Sequence, residues 1–136
     1  MTHANTWEQD GVVKRFEGFV SAEEFATSAE EIACHPNFGR IRFIIDDMLE
    51  AQGFELDKAC IERIAISHIG SQYTNPNIRI AVVTCGNAIA RMAQMLAHPW
   101  FGDTYETQVF ASVVQARQWL QSQPILRKVP KRFSLR

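Results

Sequence analysis

The stretch from residue 77 to residue 120 constrains the fold most, because strand-like and helix-like segments alternate along it. Asn77–Thr84 (NIRIAVVT) is a nearly continuous apolar strand that breaks at Cys85-Gly86-Asn87. A helix, a second strand and a second helix follow, over Ala88–His98, Tyr105–Ala111 and Val113–Gln121. A strand that is apolar almost throughout needs cover on both faces, which is typical of a parallel sheet between layers of helices.

The first part of the chain predicts a hairpin followed by a helix. Asp10-Gly11 is a strong turn pair between two short strands, expected over Thr6–Gln9 and Val12–Gly18. Ser21 and Glu24 have the spacing of a capping box, in which the serine hydroxyl accepts from the amide of the glutamate. The helix that begins there should end near residue 35, because Pro36 disfavours helix at the residue before it.

A third strand and a second helix complete the predicted order. The strand Arg40–Asp46 is expected to end at Asp46-Asp47, and a loop is expected over Met48–Glu55. Asp57 should cap the second helix, which ends before Asn75-Pro76. The order is then ββαβαβαβα. It predicts an α/β fold with a mixed, mostly parallel sheet of about five strands and helices packed on it.

Length and composition favour one ordered domain. The chain has 136 residues, 46% of them apolar and 21% charged, which argues against disorder. The three cysteines are widely spaced and no signal peptide precedes them, so we expect a reduced, cytoplasmic protein with cysteines as small core residues. The longest apolar runs are of strand length, so no membrane span is expected.

The charge is distributed unevenly along the chain. Residues 1–123 hold nine Lys/Arg and fifteen Asp/Glu, a balance of −6, whereas residues 124–136 hold five Lys/Arg and no acid, a balance of +5. We therefore predict a domain over 1–123 and a basic tail over 124–136. The tail should lie as an extended strap on an acidic surface of its own subunit or of a dimer mate, with Phe133 or Leu135 as an apolar anchor. Nothing resembles the broad basic face of a nucleic-acid binder, so no nucleic-acid partner is expected.

Three motifs of the chain are an apolar strand ending in Asp, an Arg-Ala-Val-Val-like strand and a final Val-Phe…Ala-x-x-Trp-Leu pattern, found in Phe43–Asp46, Arg79–Val83 and Val109–Leu120. Together they resemble the STAS domain superfamily, and most closely its SpoIIAA-like branch of small bacterial proteins. The resemblance spans roughly residues 10 to 122 and rests mainly on packing residues. It implies a non-catalytic regulatory or protein-interaction module, which we expect to be a homodimer with a protein partner.

The regulatory switch of that superfamily does not carry over to this chain. Its best-known members are anti-sigma factor antagonists, phosphorylated on a Ser in an Asp-Ser-Ser-Gly turn that opens the second helix. The matching turn here is Glu55-Leu56-Asp57-Lys58, which has neither hydroxyl nor glycine. Other relatives resemble lipid-transfer domains. They imply an alternative function, a carrier of a small apolar ligand beneath helices lined by Ile61, Ile64, Met92 and Met95.

Candidate binding residues cluster where strands of the predicted sheet end, because ligands bind at the carboxyl edge of such sheets. Cys85 precedes a helix start, where the helix dipole would lower a thiol pKa, so thiol chemistry at Cys85 is a second alternative. The plainer hypothesis, which we favour, is a small buried cysteine with Asn87 as N-cap. Gly86 alone is far short of a phosphate-binding loop.

Asp46 and Asp47 could hold a divalent cation or act as an acid/base pair. Adjacent residues of a strand point to opposite faces, however, so solvated strand-end carboxylates are the favoured interpretation. The four histidines form no ligand set, and no metal or cofactor is expected. His68 should be a hydrogen-bonded histidine at the edge of the core. Trp100 and Phe101 are weighed equally as packed residues or as anchors for a partner.

Overall fold

The computed structural model describes residues 3–55, 57–86, 89–91, 94 and 104–130. Five strands form one sheet in the order β1-β2-β3-β4-β5. They are β1 His3–Trp7, β2 Gly11–Val20, β3 Phe43–Phe54, β4 Arg79–Val83 and β5 Glu106–Phe110. The first pair is antiparallel and the other three pairs are parallel, which confirms the predicted mixed, mostly parallel sheet.

Three helices that are described over their full length, and a short 3-10 helix, pack with this sheet. They are α1 Ala22–Cys34, α2 Lys58–Ser71, α3 Val113–Ser122 and the 3-10 helix Phe38–Arg40. The predicted caps are confirmed, since Glu24 N–H donates to Ser21 Oγ at 3.1 Å and Cys60 N–H donates to Asp57 Oδ1 at 2.7 Å. Residues 89–91 and 94 are helical as predicted, and the rest of the expected helix Ala88–His98 lies outside the described residues.

The third strand is longer than the sequence predicts. β3 has 12 residues and continues through Asp46 and Asp47 to Phe54, so the predicted loop over Met48–Glu55 is wrong. Its second half pairs in parallel with the end of β2, with two register shifts along the way. This pairing satisfies the backbone and leaves polar side chains such as Glu50 and Gln52 exposed, which is why the segment lacks a strand-like apolar pattern. Gly18 takes a positive φ of 68° in the β2 segment of this pairing, a conformation that favours glycine.

The sheet has apolar side chains on both faces. On one face α1 and α2 bury Val12, Phe16, Ile44 and Ile80 of the strands with Phe25, Ile32, Ile61 and Ile64 of the helices. On the other face Ile45, Ala81 and Val83 pack with Ala116, and Phe110, Trp119 and Leu120 lie against this cluster. Burial of β4 from Ile80 to Val83 confirms the double cover that its continuous apolar sequence predicts.

The first part of the tail lies on the amino-terminal edge of the sheet. Arg79 Nη1 donates to the carbonyl oxygen of Pro124 at 2.7 Å. Asn77 Nδ2 donates to the Lys128 carbonyl oxygen at 3.0 Å, and Lys128 N–H donates to Asn77 Oδ1 at 2.6 Å. These contacts are with an amide and a guanidinium rather than with acidic groups. The expected anchors Phe133 and Leu135 lie outside the described residues, so the acidic strap stays a prediction.

Candidate functional site

Four polar side chains lie inside the apolar layer between the sheet and the helices α1 and α2. Their exposed fractions are 3% for Lys14, 0% for Ser28, 6% for Asp46 and 8% for His68. They come from β2, α1, β3 and α2, so four separate elements bring them together. Buried charges require partners, because burying an unpaired ion costs roughly several kcal/mol of desolvation free energy.

The Lys14 ammonium is held by three kinds of contact. Its Nζ donates to Ser28 Oγ at 3.1 Å and forms an ion pair with Asp46 Oδ1 at 3.2 Å. It also lies 5.3 Å from the ring centroid of Phe25 and 5.5 Å from that of Phe16, within cation–π range. The ion-pair contact lacks the alignment of a hydrogen bond, so Asp46 Oδ1 is buried without a hydrogen-bond donor among the described residues.

His68 is buried beside this ion pair. Its ring centroid lies 5.3 Å from that of Tyr105, and its Nδ1 has no hydrogen-bond partner within the described part of the chain. Burial, and secondly the charge of Lys14, lower the pKa of His68 to about 4, so the imidazole is neutral at pH 7. The prediction of a hydrogen-bonded histidine is therefore wrong for this nitrogen. A buried polar atom without a partner costs about 1–3 kcal/mol.

A cavity of about 30 Å³ adjoins the buried polar cluster. Since one water needs roughly 10–15 Å³ by this measure, the space accepts two or three non-hydrogen atoms. Apolar side chains of the sheet and of both helices form most of the wall, including Phe25, Ile32, Ile44, Ile64, Ile80 and Val82. Ile64 was expected to line a ligand cavity, whereas Met92 and Met95 lie outside the described residues.

Asp46 and Asp47 are not solvated strand-end carboxylates, because β3 continues past them. Both are buried, and they point to opposite faces of the sheet as adjacent strand residues do. Asp46 faces Lys14, whereas Asp47 Oδ2 lies 3.7 Å from Arg15 Nε and Asp47 Oδ1 accepts from Leu49 N–H at 3.2 Å. The two carboxylates therefore do not converge on one cation. Within the described ranges, no three His, Cys, Asp or Glu side chains are placed to hold a metal.

The turn after β4 exposes its cysteine. Cys85 and Gly86 are exposed, so the favoured interpretation of Cys85 as a small buried residue is wrong. Gly86 N–H donates to Thr84 Oγ1 at 2.9 Å, and Ala90 N–H donates to the Gly86 carbonyl oxygen at 3.2 Å, which begins the helix. The other candidates of this group, Asn87, Trp100 and Phe101, lie outside the described residues.

The remaining cysteines differ from each other in burial. Cys34 is exposed at the end of α1, contrary to the expectation of a core residue. Cys60 is buried, its Sγ donates to the Ala22 carbonyl oxygen at 3.3 Å, and burial raises the pKa of its thiol. All three cysteines are free thiols. No described helix is long and apolar enough to cross a membrane.

The sequence itself carries a signal for the buried polar cluster. In β2 the residues Val12, Lys14 and Phe16 share one face, because side chains of a strand alternate, and the flanking pair is apolar. A lysine in this inward phase indicates a buried charge that needs a partner. In α1, Ser28 lies three residues after Phe25 and four before Ile32, again on the buried stripe.

The described architecture is a SpoIIAA-like fold, as the sequence motifs predicted. An uncharacterized Shewanella loihica PV-4 protein of the DUF3478 family with a SpoIIAA-like fold is similar, with a TM-score of 0.52 and 16% identity over 87% of this chain and 91% of that one. The anti-sigma factor antagonist SpoIIAA in its unphosphorylated form is also similar, with a TM-score of 0.59 and 10% identity over 89% and 99%. No protein-family model matches the chain, and no curated protein does. At these identities the likeness shows the fold alone.

Proposed function

We propose that this chain is a non-catalytic regulatory or protein-interaction module of a bacterial cytoplasm, and that it acts as a homodimer. The observation that carries the proposal is an exposed apolar surface on the α3 side of the sheet, where Phe19 is 59% exposed and Leu49 is 40% exposed. The SpoIIAA-like fold supports it, because one similar structure is named as an anti-sigma factor antagonist. Large exposed apolar residues on a rigid sheet are typical of interaction surfaces.

The open face, defined here by Arg15, Glu17, Phe19, Leu49 and Glu50, has the composition of an interface. Arg15, Glu17 and Phe19 alternate with the buried Phe16 and Val20 and therefore point to the α3 side, as does Leu49 beside the buried Met48. Glu50 pairs with Glu17 after the register shift and lies on the same side. The ring of Phe19 is held in place over Gly53, where an added Cβ would lie 2.8 Å from Phe19 Cδ2. An apolar centre with one exposed cation and two exposed anions around it can be self-complementary across a twofold axis.

Native mass spectrometry of the full chain tests the homodimer. Phe19→Ser should shift the dimer towards monomer, because it removes the largest exposed apolar side chain of the open face. Ile66→Ser is the matched control, since Ile66 is 69% exposed on α2 in the opposite layer. A monomeric wild-type protein, or equal dissociation in both variants, would contradict the proposed dimer surface.

Regulation of this module should not depend on phosphorylation at the start of α2. Asp57 caps the helix and Lys58 begins it, and residues 55–58 contain no hydroxyl side chain. Incubation with a bacterial serine kinase of the anti-sigma type, followed by peptide mapping, should show no phosphate between Glu50 and Ile64. Stoichiometric phosphate on that peptide would overturn this part of the proposal.

Thiol chemistry at Cys85 is a second candidate function, and the exposure of the residue favours it. Cys85 immediately precedes the turn at which the Gly86 carbonyl accepts the first helical hydrogen bond, from Ala90. The rate at which Cys85 reacts, relative to a free model thiol, decides between the two candidate functions.

A further inference from the structure

We propose that the cavity between the sheet and the helices α1 and α2 is a binding site for a small, uncharged molecule that carries a hydroxyl group. The hydroxyl would lie between Asp46 and His68, and the apolar part would contact Ile32, Ile64 and Ile80. This site is independent of the open face, because the two lie on opposite sides of the sheet.

The charges around the cavity determine that the ligand is uncharged. The Lys14 ammonium and the Asp46 carboxylate lie 3.2 Å apart and neutralise each other. His68 is neutral, because burial and the nearby Lys14 oppose its protonation. The rest of the wall is mostly apolar, so an anionic or cationic ligand would lie in this cavity without a counter-charge.

Two buried atoms without a hydrogen bond determine that the ligand carries a hydroxyl. Three hydroxyl groups of the wall are already engaged. Tyr105 donates to the Asn75 carbonyl at 2.6 Å, Thr107 donates to the Tyr105 carbonyl at 3.0 Å, and Ser71 donates to the Ser67 carbonyl at 2.7 Å. Asp46 Oδ1 and His68 Nδ1 remain, buried and without a hydrogen bond in the described structure. A hydroxyl can donate to the carboxylate and still offer lone pairs to a ring N–H.

The volume limits the size of the group that enters. About 30 Å³ accepts two or three non-hydrogen atoms, so ethanol is a suitable probe. Ethylammonium and acetate are charged probes of similar size. Full-length protein with ¹³C-labelled isoleucine δ-methyl groups gives one NMR signal for each isoleucine, and Ile66 and Ile125 serve as internal controls because they are 69% and 71% exposed.

Ethanol should produce saturable shifts of the Ile32, Ile64 and Ile80 methyl signals, with little change at the two exposed isoleucines. Ethylammonium and acetate should produce no saturable shift at any cavity isoleucine. Shifts that grow linearly with ethanol, or that are equal at cavity and exposed positions, would indicate a solvent effect and overturn the proposal. Saturable binding of either charged probe would overturn the argument from charge.

The variant His68→Phe tests the role of the imidazole, because it keeps an aromatic ring and removes Nδ1. It should weaken the saturable ethanol shifts at least tenfold, whereas Ile66→Val, a change on the exposed face of the same helix, should leave them unchanged. Undiminished binding in a folded His68→Phe would overturn the assignment. If that variant does not fold, the ¹⁵N chemical shift of His68 Nδ1 in the wild-type protein gives a second readout. If ethanol does not change this shift, the assignment of His68 as a ligand contact is also overturned.

Discussion

Lys14 shows how a single charged side chain can be accommodated in this core. Its partners are one carboxylate, one hydroxyl and two aromatic rings, and each comes from a residue that the chain folds onto the same side of the sheet. Ser28 links this network to the backbone, since its Oγ donates to the Phe25 carbonyl oxygen at 2.7 Å. Loss of one member would leave another buried and unpaired, which costs roughly 3–5 kcal/mol for an ion pair.

At the same scale, His68 predicts how stability depends on pH. Its pKa is about 4 in the folded protein and ordinarily 6.5, so the unfolded chain binds the extra proton between these values and folding stability falls as the pH is lowered. The shift corresponds to about 3 kcal/mol. His68→Phe should remove this loss. Urea unfolding measures the unfolding free energy of the wild type and of His68→Phe at about pH 7 and about pH 4. From pH 7 to pH 4 the wild type should lose about 3 kcal/mol more of this free energy than the variant.

The carboxylates that both proteins share contribute equally to the two pH dependences, so their contributions cancel in this comparison. One of them is Glu8, whose pKa is lowered by the hydrogen bond from Arg117. The control is His35→Gln, at the end of α1, where the ring stacks on Trp7. A parallel pH dependence in the wild type and in His68→Phe would show that His68 titrates normally.

The thiols give a second prediction at the residue scale. Cys34 and Cys85 are exposed and should react with a thiol reagent in the native protein, whereas Cys60 is buried with a raised pKa and should react only after denaturation. Peptide mapping after timed labelling at neutral pH measures each rate. Fast native labelling of Cys60 would contradict its burial. Labelling of Cys85 well above the rate of a free model thiol would favour thiol chemistry over the interaction module.

At the scale of elements, α3 is held to the sheet by an aromatic pair and an ion pair. The Trp119 ring lies 5.4 Å from that of Phe110, and Arg117 contacts both carboxylate oxygens of Glu8 at 2.6 and 3.0 Å. α3 therefore contacts both the last strand, through Phe110, and the turn of the first hairpin, through Glu8. Its cap is Ser112, whose Oγ accepts from Gln115 N–H at 3.2 Å.

Trp119→Ala tests this helix. The ring is only partly buried, so we expect a loss of about 2–3 kcal/mol, below the range of about 3–5 kcal/mol for a fully buried large aromatic. The measurement is the melting temperature and the urea midpoint. Val114→Ala is the control, because Val114 is 66% exposed on the same helix. Equal effects of the two substitutions would mean that α3 does not pack through Trp119.

For the whole molecule, the sheet separates two environments. The side of α1 and α2 contains the larger core, the buried polar cluster and the cavity, and the α3 side contains a smaller core beside the open face. The tail begins where α3 ends and reaches the start of β4 through Asn77 and Arg79. It therefore connects the last helix to the start of β4, next to the edge strand β5.

Removal of residues 124–136 should lower the unfolding free energy by about 1–2 kcal/mol, because three hydrogen bonds to Asn77 and Arg79 are lost in a partly exposed place. Asn77→Ala in the full chain should reproduce part of this loss. Raised salt should reproduce only part of the loss of unfolding free energy caused by the truncation, since salt screens hydrogen bonds and apolar contacts little. If the truncated protein keeps both its melting temperature and its subunit count, the tail is a free basic arm.

The sequence alone determined the element order, two helix caps and the double cover of β4. These depend on local chemistry or on the period of apolar residues, which a linear pattern preserves. Trp119 beside Ala116 and Leu120 follows from the same helical spacing and is confirmed. The fold class could be predicted for that reason.

Only the tertiary structure decided the length of β3, the burial of Asp46 and Asp47, the exposure of Cys85 and the partners of Lys14. For β3 and its two aspartates the partners belong to an element distant in sequence: β2 pairs with the polar end of β3, and Lys14 meets Asp46 across 32 positions of the chain. Hydrogen bonding to a neighbouring strand can override a weak apolar pattern, and a buried charge is tolerated only where its partner arrives. The cavity, with its two buried atoms that lack a hydrogen bond, is likewise formed by the packing of separate elements.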